Sequence, residues 1–229
     1  MTEIWEGLVT AVKLIISFDP EVMQIAGRSL WIALTSTVIG SIICVPLGCL
    51  IHFNQFPGKR FIIVGIIQTL YSVPTVAVGL FVFVFISRVG PLGFTGLLFT
   101  PTAIIIGQAL LISPILLGLT ITALSGVDRS IPDTAHSLGA SSLQMSIVVL
   151  KEVRFAVMAA VILGFGRAIS ELGISLMVGG NIRGFTRTIT TAISLETSKG
   201  DLELALALGM ILIFIALVIN IGLNRIQQR

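Results

Sequence analysis

The sequence predicts an all-α integral membrane protein, and three observations carry that prediction. Hydrophobic residues make up 55% of the 229 and charged residues only 11%, against about 25% charged in an ordinary soluble domain. The mean hydropathy is +1.06. Five apolar runs, each near the roughly 20 residues that a helix needs to cross the hydrocarbon, alternate with short polar or Gly/Pro-rich segments.

Residues 3–17 read as an amphipathic helix, with Trp5, Leu8, Val9, Val12, Ile15 and Ile16 at helical spacing. This helix is too short to span and is expected to lie in the membrane interface. Glu3 and Glu6 stand where a signal peptide would be basic, so no cleavable leader is expected. Asp19-Pro20 breaks the chain. The expected spans are 29–51, 61–86, 102–124, 155–178 and 202–223. The second contains Gln68, Thr69, Tyr71, Ser72, Pro74 and Thr75, with a kink expected at Pro74 and the polar face turned toward protein or water. The third is expected to be interrupted at Ser113-Pro114.

Between the third and fourth runs lies GVDRSIPDTAHSLGASSLQMSIVVLKE, 126–152, which reads as a surface helix over about 131–147. Ser130 suits its N-cap, Pro132 its first turn and Asp133 the positive end of its dipole. Ala135 and Gly139 give it a small-residue strip suited to close contact with another protein.

Arg167 and Glu171 sit four apart in the fourth run and share a helix face. Two readings stay open for them: a neutralised pair that fastens helices, or groups lining a route together with Ser170. Gly164, Gly166, Ala168, Ser170 and Gly173 permit close helix approach. In 181–199, Asn181, Arg183 and Arg187 join Thr186, Thr188, Thr190, Thr191 and Ser194. Many donors with few fixed charges suit an anion that must be released again; an ordinary solvated loop is the alternative.

Several function classes are excluded. The net charge of +3 is scattered and gives no nucleic-acid surface. Cys44 and Cys49 read as small buried thiols, and His52 and His136 stand apart, so no metal or other cofactor is expected in this chain. Gly58-Lys59 lacks the upstream glycine and following hydroxyl of a phosphate-binding loop, and no catalytic constellation is visible. Any ATP and Mg²⁺ are therefore expected on a partner.

The run DTAHSLGASSLQMSIVVLKE resembles the coupling segment of ABC importer membrane subunits, with Asp133-Thr134-Ala135 at the acidic-Ala-Ala opening, Gly139 at the glycine and Val149 at the Ile. Lys151-Glu152 replaces the usual Leu-Pro ending. The longer run GFGRAISELGISLMVGGNIRGFTRTITTAISLETSKGDLELALALG, 164–209, is similar to the C-terminal half of tungstate importer permeases, relatives of the molybdate permeases. The likeness extends to FPGKR at 56–60 and GPLGFTGLLFTP at 90–101.

This resemblance implies a type I ABC importer transmembrane fold. It places ATPase coupling on Asp133, Thr134, Ala135, Leu138, Gly139 and Ala140, and an outward gate within 179–196. The translocation route is expected to involve Gln68, Thr69, Arg167, Ser170, Glu171, Asn181, Arg183, Arg187, Thr190 and Thr191. The implied assembly is a homodimer with two cytosolic ATPase subunits and an extracytoplasmic oxyanion-binding protein, in a prokaryotic cytoplasmic membrane. The substrate implied is tungstate, with molybdate or another tetrahedral oxyanion as the alternative. A stand-alone secondary transporter is the alternative of another class, and would show inverted repeats or discontinuous helices. Five spans put the termini on opposite sides. Lys59, Arg60, Arg129, Lys151, Arg154, Arg225 and Arg229 then share the cytoplasmic face, and the N-terminus lies outside. No regulatory domain is expected after Arg229.

Overall fold

The computed structural model describes residues 2–54, 56–59 and 61–227, all helix and connection with no strand among them. Arg60 and Arg229 lie outside the described residues, as do the side chains of Glu3, Ile4 and Glu6. The helices are α1 Thr2–Ile16, α2 Pro20–Phe53, α3 Gln68–Leu70, α4 Thr75–Ile86, α5 Pro101–Ser125 and α6 Ser130–Ser137. They continue as α7 Ser142–Glu152, α8 Arg154–Ile169, α9 Gly173–Gly179, α10 Ile189–Lys199 and α11 Leu202–Gln227.

Helix α2 is set by its start. The Asp19 carboxylate accepts from the amides of Glu21 (3.0 Å) and Val22 (3.1 Å), and Pro20 occupies the first turn, where a missing N–H costs nothing. Its 34 residues reach about 51 Å, well beyond a hydrocarbon core of about 30 Å. Glu21, Gln24 and Arg28 thus sit on an end that projects from the apolar length.

Among the described residues, three helices are long and apolar enough to cross a membrane, α2, α5 and the 202–219 part of α11; α8 with α9 makes a fourth if the bent pair is one span. The expected second span, 61–86, is broken. It winds as a π-helix over Phe61–Ile67, continues as α3, turns at Tyr71–Pro74 and resumes as α4. Pro74, lacking an N–H, separates α3 from α4. The fourth is also broken: α8 and α9 meet at 57° around Ser170–Leu172. By contrast α5 runs unbroken through Pro114, which corrects the expected interruption. Ser113 donates its hydroxyl to the Ala109 carbonyl (2.6 Å) one turn back.

Helices α2, α5 and α8 form the centre. Ala33 and Cys44 pack there with Ile112, Leu116, Phe165, Ala168 and Ile169. A second cluster joins Ile32, Ile86, Ile104, Ile174 and Val178, tying α4 and α9 onto α2 and α5. A third, Val22, Ile25, Ile189, Ala192 and Leu208, fastens α10 and α11 to the start of α2. Helix α1 packs along α11, with Ala11 buried. Ile42, Ile43, Phe81, Phe214 and Leu217 are left outward, an apolar surface suited to lipid.

Glycine permits close crossings. A Cβ on Gly107 of α5 would stand 2.4 Å from Ile174 Cγ2 of α9, whereas one on Gly166 would meet nothing within 4 Å. Gly107→Leu is therefore expected to cost about 1–3 kcal/mol by overpacking. Its melting temperature in detergent should fall by several degrees, with Gly166→Ala unchanged; equal behaviour of the two would contradict this packing.

Candidate functional site

The connections define two ends. At one end the Phe99 amide bonds the Val178 carbonyl (2.8 Å) and Arg28 reaches the 181–188 loop. At the other, Ser125 meets His52 (3.4 Å), and Cys49, Leu124 and Val149 form a buried cluster under α7.

Glu171 stands between the ends, at the α8–α9 break, and is 2% exposed. Its Oε2 accepts from Arg167 Nη1 (3.1 Å), and its Oε1 from the Ile174 amide (3.1 Å) at the start of α9. Its carbonyl accepts from Thr190 Oγ1 (2.9 Å) and Ser175 Oγ (3.1 Å). One residue thus fastens α8, α9 and α10. Of the two readings of the Arg167–Glu171 pair, fastening describes the carboxylate. Arg167 itself keeps 38% of its side chain exposed, and Ser170 beside it is exposed.

Gln68, Thr69 and Ser72 are exposed as well, within the broken second run. Thr69 donates its hydroxyl back to the Gly65 carbonyl. Polar groups facing lipid at this depth are costly, so this strip requires water or another protein surface against it.

The hydroxyls of 181–199 mostly build the loop. Thr186 Oγ1 donates to the Gly179 carbonyl (2.5 Å) and accepts from the Ile182 amide (2.9 Å). Thr188 and Thr191 form the capping box of α10 and are buried. Asn181, at φ 50°, donates Nδ2 to the Thr191 carbonyl (3.3 Å). Ile189 hangs its amide on Ser29 Oγ of α2 (2.7 Å).

The charged groups gather in one place. Arg183 holds Glu21 by two bonds, Nε–Oε1 at 2.9 Å and Nη2–Oε2 at 2.5 Å, and this carboxylate holds the exposed guanidinium above its ordinary pKa. Arg187 is 8% exposed, with Nη1 3.4 Å from Glu196 Oε1 and 3.7 Å from Glu21 Oε1. Lys199 Nζ completes the chain at 3.1 Å from Glu196. Arg28 of α2 donates to the carbonyls of Gly184 (2.7 Å) and Arg187 (3.3 Å). Sequence reasoning missed Glu21 and Arg28 as site residues. Their signal was present: Glu21, Gln24 and Arg28 recur at one helical face where the apolar run has not yet begun.

At the other end, the expected helix over 131–147 is two helices, α6 and α7, separated by Leu138–Ser141. Gly139 adopts φ 79°, a left-handed value that ends α6 cheaply only for glycine. Ser130 is not the N-cap; Asp128 Oδ1 accepts from its amide instead (2.8 Å), a bond that keeps the Asp128 carboxyl below its usual pKa. Ser141 and Gln144 form a capping box at the start of α7. Asp133, Thr134 and Ala135 lie in α6, with Gly139 and Ala140 in the turn. Leu138 and Leu143 are 83% and 72% exposed, while Val149 is 1% exposed and anchors α7 to α2 and α5.

Residues 44–229 match the family of binding-protein-dependent transport system inner membrane components. The chain is 42% identical over 228 residues to the tungstate uptake system permease protein TupB of Peptoclostridium acidaminophilum, covering 100% of both. It is 39% identical to the TupB of Campylobacter jejuni, covering 98% of this chain and 94% of the relative. The crystal structure of a bacterial alginate ABC transporter in complex with its pentasaccharide-bound periplasmic protein superposes at a TM-score of 0.76. It shares 20% identity and covers 100% of this chain and 88% of that one. The architecture is the type I ABC importer transmembrane fold. This chain belongs to the family of binding-protein-dependent transport system inner membrane components, the permease subunits of ABC importers.

Arg167→Ala leaves the Glu171 carboxylate buried without its cation, and is expected to destabilise by roughly 2 kcal/mol or more. Arg167→Lys restores most of that stability. Thermal unfolding in detergent measures both, and an Ala variant as stable as wild type would remove the fastening role.

Proposed function

We propose that this chain is the permease of an ATP-driven importer of a tetrahedral oxyanion, tungstate first among them. The observation that carries this reading is the exposed turn at Gly139 between α6 and α7, set at the end opposite the charged cluster. Two homologous TupB proteins named for tungstate uptake support the substrate. Tungstate and molybdate share size, shape and charge, so the choice between them is assigned to an extracytoplasmic binding protein.

In this reading two copies pair, and two cytosolic ATPases carrying ATP and Mg²⁺ grip the α6–α7 turns. The N-terminus lies outside, and the Gly139 end faces the cytoplasm. Closure of the ATPases pulls on α7, and Val149 passes the motion to α2 and α5. The exposed Gln68, Thr69 and Ser72, and Arg167 with Ser170, face their mates across a wet route. The cluster around Arg183 and Arg187, with Asn181, Thr190 and Thr191 shaping its loop, stands at the outer mouth. Pairing answers the polar strip, which one copy alone leaves uncovered.

The α8–α9 break is a discontinuous helix of the kind used by secondary transporters, so dependence on ATP is the discriminating test. Purification from native membranes in mild detergent should bring down a stoichiometric ATPase and a binding protein that takes up tungstate. Uptake without ATP by the chain alone would overturn the assignment. Gly139→Leu forces a branched side chain into a left-handed turn at roughly 1–2 kcal/mol. It should abolish uptake while ATP hydrolysis and membrane insertion persist; full uptake by this variant would refute the coupling role.

A further inference from the structure

A cleft of about 350 Å³ opens between the first turns of α2 and the 181–188 loop, lined by Pro20, Glu21, Gln24, Ile25, Arg28, Arg183, Gly184 and Arg187. Its size falls within the range of small-ligand sites, about 300–1,000 Å³. Three guanidiniums and one carboxylate line it, an excess of two positive charges, while Glu196 behind it is matched by Lys199. Arg187 is nearly wholly buried, yet its Nε has no hydrogen-bond acceptor. Leaving a charged buried donor unmatched is costly. Nature satisfies such a donor with an anion where the surroundings are already cationic.

The carboxylate of Glu21 shows how an anion sits here. Arg183 holds both of its oxygens and Arg187 Nη1 approaches one at 3.7 Å. This two-pronged grip is the geometry by which arginine binds carboxylate and oxyanion alike. Arg28 fixes the loop that carries both arginines, through Gly184 and Arg187. We infer that this cleft is a binding site for a free tetrahedral oxodianion, in which the Glu21 carboxylate occupies the anion's place and swings aside when the anion arrives. With Glu21 swung aside, three guanidiniums face the two charges of that anion. Exchange of one anion for another at the same guanidiniums keeps binding weak enough for release, as a conducting site requires. The site rests on the proposed oxyanion route, adding to it Glu21 as the competing group and Arg28 as the positioning residue.

Equilibrium dialysis of the full-length permease with its ATPase in nanodiscs tests this, with sodium tungstate, molybdate and sulfate as probes and no binding protein present. One saturable site per chain is expected. Arg28→Gln should weaken binding about tenfold and Glu21→Gln should strengthen it about tenfold, each change corresponding to one charge-assisted contact. Opposite signs cannot arise from general loss of structure. Weakening by both variants, or no effect of either, would overturn the site and leave the cluster as a clamp on the loop. If wild type binds no oxyanion while the assembled complex imports tungstate, this inference falls and the transport reading stands. If the opposite shifts appear but the complex imports nothing with ATP, the site stands and the transport reading falls.

Discussion

Glu171 is the interaction on which the rest of the structure depends. In hydrocarbon no water is available to satisfy an interrupted backbone, so a broken helix must find its partners within the protein. The α8–α9 break finds them in a single residue: the carboxylate takes the Ile174 amide and Arg167, and the carbonyl takes Thr190 and Ser175. Because Thr190 stands in the first turn of α10, the loop that holds the charged cluster is tied to the same point. The 57° bend is thus a built corner.

That constraint sorts the chain's polar groups into two kinds. Ser29, Ser36, Gln108, Thr186, Thr188 and Thr191 are buried and bonded, and they hold helices together. Gln68, Thr69, Ser72 and Ser170 are left outward. Groups of the first kind include Thr186, Thr188 and Thr191 of the hydroxyl-rich loop, whose hydroxyls bond within the protein. Groups of the second kind are left without a covering surface by one copy, and the pairing proposed above would supply one. The two ends are equally unlike: one carries interlocked charges, the other an apolar turn raised on a capped helix.

Much of this was legible in the residues, and what was not has physical causes. Asp19-Pro20 announces the start of α2 because a cap and a first-turn proline act locally. The apolar runs announce helices because length and hydropathy suffice. Pro114 does not break α5, since its missing N–H frees a single carbonyl and a membrane helix tolerates one such gap. Gly139 belongs to a small-residue strip, and its left-handed backbone, which residue type alone does not announce, divides the expected coupling helix in two. The Thr190 hydroxyl reaches the Glu171 carbonyl 19 residues away, a bond set by the fold and not by local pattern. Glu21 and Arg28 meet the 183–187 loop across about 160 residues, a contact that spacing alone does not reveal.

The proposed pairing would set the outward polar groups against water between two copies and not against lipid. Thiol labelling at Ser170→Cys in the assembled transporter tests it most directly, because the native Cys44 and Cys49 are buried and contribute little background. A charged, membrane-impermeant maleimide is expected to reach this position. The side from which it reaches should change when the ATPases are trapped with ATP. Labelling by a lipid-soluble reagent alone, unchanged by nucleotide, would contradict it.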